Sequence, residues 1–168
     1  MSDILRLIAG GLLALVCSYI GVLVKKRYKQ RLAFFKSATD FTGVTATELS
    51  MRKTPVPEII RKFLQGRKGD FESALSSWQA SAKRRDSYDK KFEKTLVPLL
   101  KTSEKKELLD FFDGLGKTML DEQMAHVAYY EKRFEQCVAK CEEENKKLGD
   151  TYFKLCVLLG LAILLILA

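Results

Sequence analysis

The residues best suited to chemistry are a single histidine, four cysteines and the neighbouring carboxylates Asp121 and Glu122. Cys137 and Cys141 lie four residues apart, which places both thiols on one face of a helix and resembles half of a zinc site. The other half is missing, because His126 is the only histidine and no second ligand pair has suitable spacing. The pattern therefore favours two small, buried, apolar side chains and predicts no metal site.

Asp121 and Glu122 are the nearest approach to an acid–base pair, but acids are common in the first turn of a helix, where they interact favourably with its dipole. The sequence has no glycine-rich phosphate loop, no His-Glu-x-x-His pattern and no nucleophile elbow. His126 is predicted to pack against its neighbours or to lie at the surface. We therefore expect the protein not to be an enzyme and to use no cofactor.

These residues lie on a C-terminal segment that is predicted to form one long helix in two environments. Over residues 124–148, apolar side chains recur at helical spacing opposite a charged face, as in a helix that packs on protein. Residues 155–168 carry no charge at all. As a helix, residues 151–168 span roughly 27 Å, close to the thickness of a bilayer's hydrocarbon. The alternative for so short an apolar run is a buried core helix.

The opposite end of the chain is apolar too, since residues 4–24 are interrupted mainly by Arg6 and Ser18. This segment would be about 31 Å long as a helix, enough to cross a bilayer. A cleaved signal peptide would need a shorter apolar region and a small-x-small cleavage site, which we do not find. We predict transmembrane helices in residues 1–24 and 151–168, with one domain in residues 25–150 between them.

The formal net charge of +8 is concentrated beside the two apolar segments. Positive residues flank the predicted membrane helices on the side of the domain: Lys25, Lys26, Arg27, Lys29, Arg31 and Lys154. By the positive-inside rule, the domain lies in the cytoplasm and both termini lie across the membrane. The same residues could hold anionic lipid head groups. Nucleic acid is not expected as a partner, because the basic patches lack clustered exposed aromatic residues.

The middle of the chain, about 120 residues, is long enough for one small core. Apolar residues recur there at helical spacing, and no stretch alternates with period two. We therefore predict an all-α domain of about five to six helices, one of them over residues 92–100 and the next capped by Ser103.

Several local sequences occur together in an informative order. They are Lys53-Thr54-Pro55-Val56-Pro57-Glu58, then Leu115-Gly116 with Asp121 and Gln123, then Lys147-Leu148-Gly149, and finally a Leu/Ile-rich end. With the apolar N-terminal segment, this order resembles the stage III sporulation protein AB family of endospore-forming bacteria over nearly the whole chain.

The resemblance implies a fold and a set of partners. Such proteins are similar to the inner-membrane platform of type II secretion and type IV pilus machines, whose cytoplasmic domains are small antiparallel helix bundles. They belong to the channel between mother cell and forespore. The expected partners are the AA protein, a secretion-type ATPase, and the other membrane proteins of the same operon. The domain would then lie in the mother-cell cytoplasm and couple the ATPase to the membrane complex.

Two segments match family positions and are our candidates for the partner interface. Their residues are Thr54, Pro55 and Glu58 in the first segment, and Leu115, Gly116, Asp121 and Gln123 in the second. The alternative is that both segments only shape turns. At the level of function, the alternative is a general membrane-tethered helical adaptor that binds a protein or anionic lipid. Association with further copies of the chain stays open. A small pore is disfavoured, because away from their ends the apolar segments offer only Ser18 and Tyr19 as polar groups.

Overall fold

The computed structural model describes the backbone of residues 2–84 and 100–167, and the side chains of residues 11, 12, 15–81, 100–162 and 165. The regular elements in these ranges are helical: α1 (Ser2–Arg52), α2 (Val56–Leu64), α3 (Asp70–Arg84), α4 (Thr102–Gly114), α5 (Leu120–Glu144), a π-helical turn (Asn145–Gly149) and α6 (Asp150–Leu167). The prediction of an all-α fold is confirmed. The helix predicted over residues 92–100 lies outside the described residues, except for Leu100.

The two predicted transmembrane helices are not supported. Within the part of the chain that the structure describes, no helix is both long and apolar enough to cross a membrane. Some of each predicted segment lies outside that part: residue 1 and the side chains of residues 2–10, 13 and 14 in the first, and residue 168 and the side chains of residues 163, 164, 166 and 167 in the second.

The chain forms two compact units. One, which we call the bundle, comprises Ala33–Ala139; the other, which we call the arm pair, comprises Met1–Leu32 and Lys140–Ala168. Both boundaries lie within long helices. One follows Leu32 in α1 and the other follows Ala139 in α5, so each of these helices contributes to both units.

Phenylalanine dominates the core of the bundle. The ring of Phe41 is fully buried and lies 5.1 Å from that of Phe63, 5.8 Å from that of Phe71 and 6.3 Å from that of Phe111, measured between centroids. These contacts are mostly edge-to-face, a geometry that stabilises each pair by about 0.5–1.5 kcal/mol beyond the burial of apolar area. Four helices of the bundle thus meet on one aromatic cluster.

The part of α1 that belongs to the bundle buries more than the one stripe that its sequence predicts. The sequence predicts an inner face for residues 31–51 that consists of Leu32, Phe35, Ala38, Ala46 and Leu49. Of these, Phe35, Ala38 and Leu49 are buried. Phe34 and Phe41 are fully buried as well, although they were not in the predicted inner face. Adjacent residues such as Phe34 and Phe35 point about 100° apart on a helix, so burial of both means that α1 is covered on two sides.

The sequence predicts breaks between helices at residues 52–57, 66–69 and 114–116, where proline and glycine occur. The helix ends agree with these breaks, with one correction at the predicted cap. The carbonyl of Pro55 accepts hydrogen bonds from the backbone of Glu58 (2.9 Å) and Ile59 (3.2 Å), so α2 begins at the predicted proline turn. Ser103 was predicted to cap α4, and this is wrong. The helix begins at Thr102, and the backbone N–H of Lys101 donates to Glu104 Oε2 at 2.9 Å. The reason is that the acid in the first turn reaches back to the residue preceding the helix.

The predicted long C-terminal helix is present as α5, the π-helical turn and α6. Val127, Phe134 and Cys141 are buried along it, as their spacing predicts. Leu148 was assigned to the same buried stripe but is exposed, and Gly149 is buried instead. The π-helical turn explains this difference, because i→i+5 hydrogen bonds shift the residues that follow away from α-helical spacing.

In the arm pair, α6 packs closely against the first half of α1 at glycine positions. A Cβ atom built on Gly21 would lie 3.1 Å from the Cβ of Cys156, and one built on Gly149 would lie 3.7 Å from the ring of Tyr28. An added side chain at Gly21 would force the helices to shift by a few tenths of an ångström, whereas a Cβ at Gly149 would meet Tyr28 at an ordinary contact distance. The outward faces are strongly apolar, with Leu15, Tyr19, Leu158 and Leu165 each exposed by 59% or more.

Candidate partner-binding surface

The first candidate segment, the proline turn, is fixed by a buried threonine. Thr54 is 8% exposed, and its Oγ1 donates to Glu48 Oε2 at 2.7 Å while its backbone N–H donates to the Glu48 carbonyl at 3.3 Å. Lys53, before it, has φ of 50°, a left-handed backbone conformation that lets α1 end and the chain reverse. The hydrogen bond from Thr54, together with the charges of Lys62 and Arg52, lowers the pKa of the Glu48 carboxyl.

The second candidate segment, the elbow between α4 and α5, is organised by Gln123. Its Oε1 accepts a hydrogen bond from the backbone N–H of Gly116 at 2.8 Å, and its side chain is only 3% exposed. Gly116 has φ of +77°, where a side chain would be strained. Leu115 is buried beside it. Because Oε1 must face the N–H of Gly116, the orientation of the amide is set, and Gln123 Nε2 has no partner among the described residues.

The bundle brings these two segments together. A Cβ atom built on Gly116 would lie 3.8 Å from the Cβ of Val56, which follows Pro55 directly. The two candidate segments, 60 residues apart in the chain, are therefore neighbours in space. This adjacency could not be predicted from the order of the segments in the sequence.

Exposed methionines flank both segments. Met51 is 80% exposed just before the proline turn, and Met119 is 81% exposed within the elbow. We call the four exposed residues in and beside the two adjoining turns, Met51, Pro55, Gly116 and Met119, the elbow surface. Methionine side chains are flexible and polarisable, and they are common at surfaces that bind proteins. Neither methionine was singled out from the sequence, where spacing could not distinguish an exposed methionine from a core one.

The predicted interface residues divide into two groups. Thr54, Leu115 and Gln123 are buried and hold the two turns, whereas Pro55, Gly116 and Asp121 are exposed. Glu58 is partly exposed and pairs with Lys62 at 3.4 Å. The first group supports a role in positioning, and the second is available for contact. Their role in partner binding stays a prediction.

The predicted basic residues of the arm pair also divide. Lys25 pairs with Asp150 at 2.7 Å, and Arg31 pairs with Glu144 at 2.5 Å with its side chain only 7% exposed. Arg31 therefore holds α1 against the C-terminal helix rather than facing outward. The remaining predicted residues are exposed: Lys26, Arg27, Lys29 and Lys154.

His126 and Cys137, two of the residues best suited to chemistry, make contacts within the bundle. His126 Nε2 lies 3.0 Å from the Phe111 carbonyl, and its ring stacks on that of Phe111 at 5.8 Å. Cys137 is buried, with its thiol 3.8 Å from Glu107 Oε2. In the described ranges, no group of three or more His, Cys, Asp or Glu side chains is placed to hold a metal ion.

One surface feature of the bundle was missed from the sequence. A groove of about 460 Å³ lies between α1 and α5, and acidic side chains of Asp40, Glu48 and Glu131 line it. Gly43 forms part of its floor, where an added Cβ atom would lie 3.3 Å from Glu131 Oε1. The feature of the sequence that could have indicated this groove is Gly43, a glycine within an otherwise regular helix.

Comparison with known proteins identifies the family. No curated protein and no solved structure matches the chain. The family model described as stage III sporulation protein AB matches residues 6–168, which includes both candidate segments, the bundle and nearly all of the arm pair. The chain therefore belongs to the stage III sporulation protein AB family, and its role lies in spore formation.

Proposed function

We propose that this protein is a membrane-anchored platform subunit of the channel between mother cell and forespore, and that its bundle binds a secretion-type ATPase, the AA protein. The single observation that carries the proposal is the elbow surface, in which two segments typical of the family meet beside two exposed methionines. The proposal assigns no reaction to this chain; its work is to bind other proteins.

Rigidity supports a docking role for the elbow surface. The bond from Thr54 to Glu48 fixes one side, and the bond from Gly116 to Gln123 fixes the other. A surface that is already ordered loses less conformational entropy when a partner binds. Met51 and Met119 can then adapt their side chains to the partner while the backbone beneath them stays in place.

The apolar outer faces of the arm pair support the membrane part of the proposal. Leu15, Tyr19, Leu158 and Leu165 are exposed, and so large an apolar surface is unfavourable in water. Lipid would cover it. The proposed topology places the bundle in the mother-cell cytoplasm and both termini across the membrane that surrounds the forespore.

Binding to the AA ATPase tests the docking role. The full chain in lipid nanodiscs is mixed with purified AA protein, and the dissociation constant is measured by biolayer interferometry. The double variant Met51→Lys/Met119→Lys should weaken binding by at least about tenfold, since it places two charges in the contact. Tyr129→Lys changes a 59% exposed aromatic residue elsewhere on the bundle. It adds one charge and is the control for each single methionine variant. Unchanged affinity in the double methionine variant would refute the docking surface.

Labelling with a membrane-impermeant maleimide tests the topology. In a chain whose native cysteines are replaced by alanine, Ser73→Cys reports on an exposed position of the bundle and Ser2→Cys reports on the N-terminus. In intact, non-sporulating cells that express the chain in the plasma membrane, we expect Ser2→Cys to be labelled and Ser73→Cys to be protected until the cells are lysed. The opposite pattern would place the bundle outside the cytoplasm and refute the proposed location.

A further inference from the structure

Helical geometry gathers three lysines around one carboxylate in the arm pair. Lys25 Nζ and Asp150 Oδ1 are 2.7 Å apart and join α1 to α6. Lys29 follows Lys25 by four residues, and Lys154 follows Asp150 by four residues, so each lies on the same face as its neighbour. We call the group of Lys25, Lys29, Lys154 and Asp150 the lysine cradle.

The cradle carries more positive charge than its carboxylate can neutralise. Asp150 forms one ion pair, with Lys25, and Lys29 and Lys154 are both exposed without an ion pair in the described part of the chain. Their charges also contribute, after that of Lys25, to lowering the pKa of the Asp150 carboxyl, so both lie near it. Arg31 does not add to the surplus, because Glu144 pairs with it.

Apolar surface borders the cradle. Lys25 Nζ lies 5.6 Å from the centre of the Phe153 ring, and Leu155, which follows Lys154 directly, is 48% exposed. A surplus of positive charge beside exposed apolar side chains matches a molecule with an anionic head and a hydrocarbon tail. Free phosphate would use the charge alone and leave the apolar border uncovered.

We propose that the lysine cradle binds the phosphate of an anionic phospholipid head group, whose acyl chains cover the apolar border formed by α6. This inference rests on the proposed membrane role and adds the class of lipid. Lys29 and Lys154 would contact the phosphate, while Lys25 stays paired with Asp150.

Native mass spectrometry of the full chain tests the inference. The protein is released from nanodiscs made of equal parts phosphatidylcholine and phosphatidylglycerol, and the lipids that remain bound are counted. We expect phosphatidylglycerol to be enriched by about fivefold or more, and Lys29→Gln/Lys154→Gln to remove most of that enrichment. Asp150→Asn should increase it, because the cradle then loses its only negative charge. Lys68→Gln/Lys106→Gln, two exposed lysines of the bundle, is the control of equal charge change.

The outcomes separate the two proposals. Flotation with vesicles of neutral lipid tests the membrane role separately. If the chain does not float with these vesicles, the membrane role itself is wrong. If it floats but retains both lipids equally, only the lipid preference is refuted. A loss of enrichment in Asp150→Asn would show that the cradle merely holds the helices together. Displacement of the lipid by inorganic phosphate, beyond the effect of chloride at equal ionic strength, would assign the site to a free anion and refute the lipid.

Discussion

At the scale of single residues, Thr54 connects the end of α1 to the turn that forms half of the elbow surface. We predict that Thr54→Val destabilises the protein by about 1–2 kcal/mol, because the substitution keeps the shape of the side chain but leaves Glu48 without this hydrogen bond. Thermal unfolding followed by circular dichroism in detergent micelles measures the effect. Thr47→Val is the control, since the Thr47 hydroxyl bonds only to the carbonyl of Gly43 within its own helix.

The same bond predicts a dependence on pH. The folded state lowers the pKa of Glu48 from its ordinary value of 4.5, so the ionised carboxylate contributes stability above that value. This contribution is lost as the pH falls through the lower, folded-state pKa. We expect the difference in stability between the wild type and Thr54→Val to be constant from pH 6 to 8 and to shrink below about pH 4.5. A difference that persists unchanged at acid pH would mean that burial, not the charged bond, gives Thr54 its effect.

Gly114 offers a second test at this scale. A Cβ atom there would lie 2.3 Å from the ring of His126, so Gly114→Ala should destabilise the bundle by about 1–3 kcal/mol. In a His126→Ala background the same substitution should cost much less. A double-mutant cycle from thermal unfolding gives the coupling. If the effects of the two substitutions on the free energy of unfolding were simply additive, the contact between Gly114 and His126 would be contradicted.

At the scale of elements, the close approach of α1 and α6 depends on Gly21. A Cβ atom at this position would lie 3.1 Å from that of Cys156, somewhat closer than the roughly 3.8 Å usual in a disulfide. A shift of a few tenths of an ångström between the helices corrects this, so Gly21→Cys should form a disulfide with Cys156 under mild oxidation. Protease digestion and mass spectrometry under non-reducing conditions detect the cross-link, in a chain whose other cysteines are replaced by alanine. Gly11→Cys is the control, since none of the side chains that the structure describes lies within 4 Å of a Cβ built there. Equal cross-linking by both variants would contradict the pairing.

Periodicity predicted the helices well because their buried stripes are long and their breaks carry Pro55, Gly66 and Gly116. It could not predict Phe34 or Phe41, because burial on a second face depends on which helices pack on both sides. It also misplaced Leu148, since no sequence rule marks a π-helical turn. For the candidate site, the family positions located both turns, whereas their adjacency through Val56 and Gly116 is a property of the three-dimensional packing.

At the scale of the whole molecule, membership of a sporulation family makes spore yield the decisive measurement. We predict that deletion of this gene blocks spore formation after engulfment and that the wild-type chain restores heat-resistant spores. Met51→Lys/Met119→Lys should restore at least about tenfold fewer spores, because it weakens the proposed contact with the ATPase. Tyr129→Lys should complement fully at equal protein level on immunoblots. Normal yield in the deletion strain would refute the role in the channel.

The π-helical turn at Asn145–Gly149 has a consequence for how this chain can vary. Each residue of a helix advances the following ones by about 100° around its axis. Loss of one residue from this turn would therefore swing Asp150 away from Lys25 and bring a different side of α6 toward Gly21. The number of residues there sets the rotational phase of α6. Exchange of the exposed side chains of Lys146, Lys147 and Leu148 is therefore tolerated far more readily than a deletion.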